Sequence, residues 1–179
     1  SYIDKEKYLC SESENNSEPG DSCTRLNFSK ILESSNYLND KLNGAYEIRD
    51  SLNQVFNKGN YSNDIKSGEW FERYYSTDIH DKPFFIYYKG SYLDGKKTGR
   101  WIKYYTEGDI AETFSYKDGK FNGECIEYNS FNKPRKVKQF SFGVLQTFIV
   151  YDSLGNNPIR KFEIYDKKAN GYKCKRIDF

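Results

Sequence analysis

Asp94-Gly95 and Asp118-Gly119 stand 24 residues apart, and each is followed four residues later by a second glycine, Gly99 and Gly123, that opens an aromatic-rich strand pattern. A fixed period constrains a fold more than composition does, because every unit must adopt one supersecondary form and bury its apolar face on its neighbours. The period extends in both directions: 24 residues before Gly68 is Gly44, and two steps of 24 beyond Gly123 reach Gly171 by way of Thr147. One register jump interrupts it, with 31 residues from Gly68 to Gly99, which places a seven-residue insertion in the second unit.

Laid over one another, the units share a side-chain pattern. Two residues after each opening position come Tyr46, Trp70, Trp101, Cys125 and Ile149, a core site. The next residues, Glu47, Phe71, Ile102, Ile126 and Val150, alternate to the opposite face. An aromatic stands three residues before each turn-closing position: Tyr37, Tyr61, Tyr92, Tyr116 and Phe140 precede Asp40, Asp64, Gly95, Gly119 and Gly143. Asp-Gly tolerates the positive φ of tight hairpin turns. The sequence therefore predicts an all-β fold, an elongated antiparallel β-meander of hairpin repeats over residues 40–179, with Gly44, Gly68, Gly95, Gly99, Gly119, Gly123 and Gly171 at its joints.

Residues 1–39 are different. The stretch Ser11 to Ser22 is acidic and lacks any large apolar side chain, so it cannot offset the entropy of ordering its backbone. Cys10 and Cys23 bracket it, and a disulfide between them would tie the segment back on itself. Residues 25–42 carry Phe28, Ile31, Leu32, Tyr37, Leu38 and Leu42 at mixed spacings that suit either a short amphipathic helix or a strand, with a helical cap on the end of the sheet the preferred reading. Ser1 in place of an initiator Met fits either a secretory signal removed or a merely trimmed N-terminus; the first is favoured here, and the expected location is extracytoplasmic, whether periplasmic, secreted or on a surface lipoprotein.

Charge limits the partners. Residues 1–64 hold 7 basic and 11 acidic side chains against 21 and 15 beyond them, so the later half is mildly basic. It lacks the dense Lys/Arg stripe that nucleic acid demands, and no apolar run approaches the roughly 18 residues of a spanning helix. Neither nucleic acid nor a membrane surface is expected as partner.

The strings Gly68 to Tyr75 (GEWFERYY), Gly99 to Ile110 (GRWIKYYTEGDI) and Tyr116 to Tyr128 (YKDGKFNGECIEY) resemble the variant MORN repeat, G-x-W-x-x-Y-Y followed by a glycine-containing turn and a D-G-K-x-x-G joint. The resemblance covers roughly residues 40–176, with Thr147 and the insertion as departures. It implies an elongated antiparallel sheet, and some bacterial members of the family are described as antitoxin-like. The motif encodes a scaffold rather than a reaction.

Few residues suit catalysis. The single histidine, His80, lies in the insertion between Asp78 and Asp81, where a solvated loop tip is the simpler reading. No spacing selects a carboxylate pair for glycoside hydrolysis. There is no C-x-x-C pair, and Cys125 occupies the place that Trp101 holds one unit earlier, as a packing residue does. Cys174 lies four strands further on, about 19 Å away in a regular sheet, beyond the reach of a disulfide. No metal, cofactor or enzymatic activity is expected. Trp70, Trp101, Tyr104 and Tyr128 are read chiefly as cross-strand packing and secondarily as sugar-stacking rings. Arg135, Lys136 and Lys138 alternate along a strand as a solvated face with a lesser claim to ligand binding. The three Asn-x-Ser triplets are attributed to chance in an Asn- and Ser-rich chain.

The expected function is that of a non-enzymatic, extracytoplasmic bacterial repeat scaffold that binds a protein partner through one face of its sheet. An immunity or antitoxin-like protein and a cell-wall or carbohydrate-binding module are the alternatives. An unprotected terminal strand also offers pairing with a second copy.

Overall fold

The computed structural model describes residues 32–50, 52–77, 83–105, 108–168 and 171–179, with the side chains of residues 32, 75–77, 83–84, 165–168 and 171–174 left out. The strands are β1 (Leu32–Leu38), β2 (Lys41–Arg49), β3 (Val55–Ser62), β4 (Ile65–Thr77), β5 (Pro83–Leu93), β6 (Lys96–Tyr104), β7 (Ile110–Lys117), β8 (Lys120–Phe121), β9 (Gly123–Tyr128), β10 (Pro134–Ser141), β11 (Val144–Tyr151), β12 (Pro158–Lys168) and β13 (Gly171–Asp178). Each pairs antiparallel with its neighbours in chain order, the two-residue β8 standing aside on β7, and all 13 belong to one open sheet. The chain is an all-β meander, and no helix occurs among the described residues.

Turn chemistry sets the period. The hairpin turns at 39–40, 63–64, 94–95, 118–119 and 142–143 have both central residues at positive φ, between 45° and 85°. That is the type I′ geometry whose twist matches the flanking strands. Each of the last four turns also bonds to the hairpin before it: Asp64, Gly95, Gly119 and Gly143 donate their N–H groups to the carbonyls of Leu42, Lys66, Lys97 and Phe121 at 2.7–3.1 Å. At the opposite edge, Asp50, Asn129 and Asp152 begin longer loops and accept backbone N–H groups from residues two to five places on. The two edges are therefore unlike, one a ridge of tight turns and the other a row of side-chain-capped loops.

The opening glycine makes a bulge. Between the pairs Lys89↔Ile102 and Ser91↔Thr98, β5 contributes only Gly90 while β6 contributes Gly99, Arg100 and Trp101. The same excess of two residues occurs at Gly68, between Lys58↔Phe71 and Asn60↔Ser67. Gly99 and Gly68 take φ of 64° and 69°, a region that side-chain-bearing residues adopt at a cost.

Three details depart from the sequence reading. Leu32–Leu38, part of the expected helical cap, is strand β1, paired with β2 from Leu32↔Arg49 to Leu38↔Lys41, so the sheet already includes residues before Asp40. In the fifth unit, with Thr147 where the others have glycine, the excess falls to one residue, Gln146. The pattern consequently slips by one: Phe148 pairs with Lys138, itself opposite Cys125, whereas Ile149 joins the other face with Val137 and Ile126. Gly171 pairs with Lys168 at the start of β13, directly after the connection, and is not equivalent to Gly99.

Candidate functional site

One face of the sheet carries a spine of rings. Tyr46, Tyr61, Trp70, Tyr92, Trp101, Tyr116, Phe121 and Phe140 follow one another at centroid separations of 4.7–6.3 Å, several of them edge to face. Such pairs gain about 0.5–1.5 kcal/mol beyond area burial. Trp70 and Trp101 are 3% and 0% exposed although no second layer covers them among the described residues. What hides them is a seat in the neighbouring strand: a Cβ built on Gly59 or Gly90 would fall 2.1–2.3 Å from the indole atoms of Trp70 or Trp101. Each indole N–H donates to a carbonyl beside its seat, Trp70 to Asn60 at 3.2 Å and Trp101 to Ser91 at 3.1 Å. A lysine closes each seat, with Lys66 Nζ 4.1 Å from the Trp70 ring and Lys97 Nζ 3.8 Å from the Trp101 ring.

Gly59 and Gly90 were not among the expected site residues. Their signal was present: Gly59-Asn60-Tyr61 recurs as Gly90-Ser91-Tyr92 after 31 residues, the offset that separates Gly68 from Gly99. One unit later, Phe114 stands at the seat position and Cys125 at the tryptophan position. Large and small residues have exchanged strands, and the Phe114 ring lies 5.8 Å from Phe121.

Between the two tryptophans Glu72 is buried, 1% exposed, and its carboxylate accepts from Lys66 Nζ at 2.6 Å, Tyr92 Oη at 2.9 Å and Tyr74 Oη at 3.0 Å, with Lys97 Nζ 3.7 Å away. Burial alone would raise its pKa, but Lys66, the Tyr92 hydroxyl and the Lys97 charge outweigh burial and hold it below the ordinary value. Burial and the anion together push both tyrosine hydroxyls up. Burial also lowers Lys97, and Glu72 only partly opposes this. The cluster locks three strands together and keeps its anion charged.

Further along the same face Glu112 and Glu127 are cross-strand partners, each neutralised from its other side, Glu112 by Lys103 at 2.6 Å and Glu127 by Lys136 at 2.9 Å. The basic run Arg135, Lys136 and Lys138 thus separates into roles. Arg135 is exposed and 3.3 Å from Glu127, Lys136 is bonded to the same carboxylate, and Lys138 has no carboxylate partner among the described residues. Lys136 and Lys138 border a shallow cleft of about 80 Å³ floored by Phe114, Phe121, Cys125 and Phe140. The Cys125 thiol is buried and its pKa is raised by that burial, the environment of a packing group.

The opposite face is more aliphatic. Phe71, Lys89, Ile102, Thr113, Ile126, Val137 and Ile149 lie directly across from one another, strand after strand. Tyr104 pairs with Tyr87 on this face, where Tyr128 also sits, both half-buried. Near its loop edge Arg73 bonds Asp50 at 2.9 Å with both side chains buried, and its guanidinium lies 3.5 Å from the Phe85 ring centre. The expected Cys10–Cys23 disulfide and His80 with its flanking aspartates lie outside the described residues. Cys174 is on β13, four strands from the β9 residue Cys125, as the repeat register required. No family model matches the chain, and no curated protein matches it.

Proposed function

We propose that this chain is a non-enzymatic repeat scaffold of the variant MORN kind whose open sheet binds a protein partner. The observation that carries this reading is where the apolar side chains are. Both tryptophans and most of the ring spine are engaged with one another, with glycine seats and with lysines, which leaves no row of open ring faces among the described residues for sugars to stack on. The strongly exposed apolar side chains are concentrated instead along the sheet's edges, beside charged residues, as expected of a protein-recognition surface.

An antitoxin-like role is a special case of the same reading, in which the partner is an effector and binding blocks it. The test is affinity capture from the native host with the tagged chain, in parallel with sedimentation against cell-wall polysaccharide. Saturable recovery of a defined protein supports the proposal. Co-sedimentation with polysaccharide and no protein recovered would refute it in favour of a carbohydrate-binding module.

A further inference from the structure

The central row of the aliphatic face, from Phe71 on β4 to Ile149 on β11, is covered by no second layer among the described residues. Ile102, Ile126, Val137 and Ile149 are half-buried: cross-strand neighbours hide part of each side chain and leave the rest to water. Tyr104 and Tyr128 flank the row toward the loop edge. Toward the turn edge stand Arg100 and Glu124, which the pairs Arg100↔Ser115 and Glu124↔Gln139 place on this same face.

These two charges differ from those on the ring-bearing face. There Glu72, Glu112 and Glu127 each hold a lysine at 2.6–2.9 Å. Arg100 and Glu124 are exposed, and neither has an ion pair among the described residues. They occupy the same place in successive units, 24 residues apart, with opposite sign. One strand, β7, lies between them.

That arrangement is complementary to itself. A two-fold axis along β7, midway between two copies of this face, stacks them as aligned sheets about 10 Å apart. Arg100 of each copy then stands over Glu124 of the other, Ile102 over Ile126 and Tyr104 over Tyr128, with the buried Thr113 on the axis. The repeat would match apolar residues about other strands as well, so the charges decide. An axis on β5 would pair Arg100 with Glu69 but set Lys89 against Lys89 at the centre. One on β10 would place Arg100 over Lys175 and Glu124 over Thr147.

The patch is large enough to hold a dimer. Seven strands from β4 to β11, by three rows of side chains, span about 34 by 20 Å, close to the roughly 800 Å² that each partner contributes to a standard interface.

We infer that this chain forms a two-fold dimer through its aliphatic face, centred on β7 and registered by two Arg100–Glu124 ion pairs between the copies. The inference goes beyond the partner reading above and leaves the ring-bearing face and both edges of the sheet to a different protein. It also differs from pairing of terminal strands, which would not involve these two side chains.

Sedimentation equilibrium of the full chain, from micromolar concentration upward, measures the monomer–dimer constant. Arg100→Glu and Glu124→Arg should each weaken dimerisation about tenfold or more, because each sets two like-charged pairs across the axis. The double reversal Arg100→Glu/Glu124→Arg should return the constant to within about threefold of wild type, since the pairs re-form with exchanged signs. Both side chains are exposed, so the unfolding midpoints of the three variants should match that of the wild-type monomer in dilute solution. A monomer at every concentration, or a double reversal no better than either single one, would overturn the inference. So would a dimer indifferent to the single reversals, which would assign the contact to the edge strands instead.

Discussion

The strands from β3 to β7 and those from β10 to β13 come from the same repeat, yet they solve the problem of a single-layer sheet differently. The earlier region gives each large ring a seat, glycine below and lysine above, and anchors a buried anion between two such seats. The later region has neither tryptophan nor a bulge glycine, its excess of residues drops to one, and its rings include the half-buried pair Phe148 and Phe162, 5.7 Å apart. A bulge that a glycine makes possible is therefore also a device for phase, because it decides which residue faces which side.

The sharpest way to break this contrast is to fill a seat. Gly90→Val should destabilise the fold by about 3 kcal/mol or more through overpacking against Trp101, seen as a lower midpoint in denaturant. An equal effect from Phe148→Leu in the later region would erase the distinction. Next in size is the exchange between Phe114 and Cys125. Phe114→Gly alone should cost about 3 kcal/mol, and Cys125→Trp alone should also destabilise. The double variant should recover part of the loss, with a coupling energy of about 1–3 kcal/mol in a double-mutant cycle. Strict additivity would show that the two positions do not form a seat.

Glu72 sharpens the comparison through pH. Its folded-state pKa lies below its ordinary value of 4.5, so its stabilising contribution is complete above that value and fades as pH falls through the lower folded value. Glu72→Gln should cost about 2 kcal/mol at neutral pH and flatten the acid limb of the stability curve. A variant whose stability falls as steeply below pH 4.5 as wild type would assign that limb to other carboxylates. The smallest effect is expected at Phe142, which holds a φ of 45° where the equivalent turn positions are Asn or Asp. Phe142→Asn should raise stability by about 0.5–1 kcal/mol, and a loss would mean that the exposed ring contributes packing.

The hairpin turns could be read in the sequence because their cause is local: Asp-Gly and Asn-Asp pairs tolerate positive φ wherever they occur. Pairing partners are non-local, and here the reading failed. Leu32–Leu38 has a spacing compatible with either helix or strand, and the free edge of β2 decides for strand. Thr147 was recognised as a missing glycine, but nothing in one strand tells how many residues its bulge will hold, so the exchange of Phe148 for Ile149 on the ring-bearing face went unseen. Glu72 could not be singled out, since its four polar neighbours come from three strands. The exposed tips Leu52, Phe131 and Leu154 were legible only as loop residues, because their shared position depends on the caps that begin each loop.

Among the described strands each hairpin pairs with those beside it, and the turn-edge hydrogen bonds from Asp64, Gly95, Gly119 and Gly143 run in the same direction, each to the hairpin before. Mechanical load along the ribbon is therefore carried in series, like tension through a zip fastener rather than through a rope of parallel strands. Loss of the join between β4 and β5 would leave two shorter ribbons, each with a raw border ready to capture whatever extended chain lies nearest.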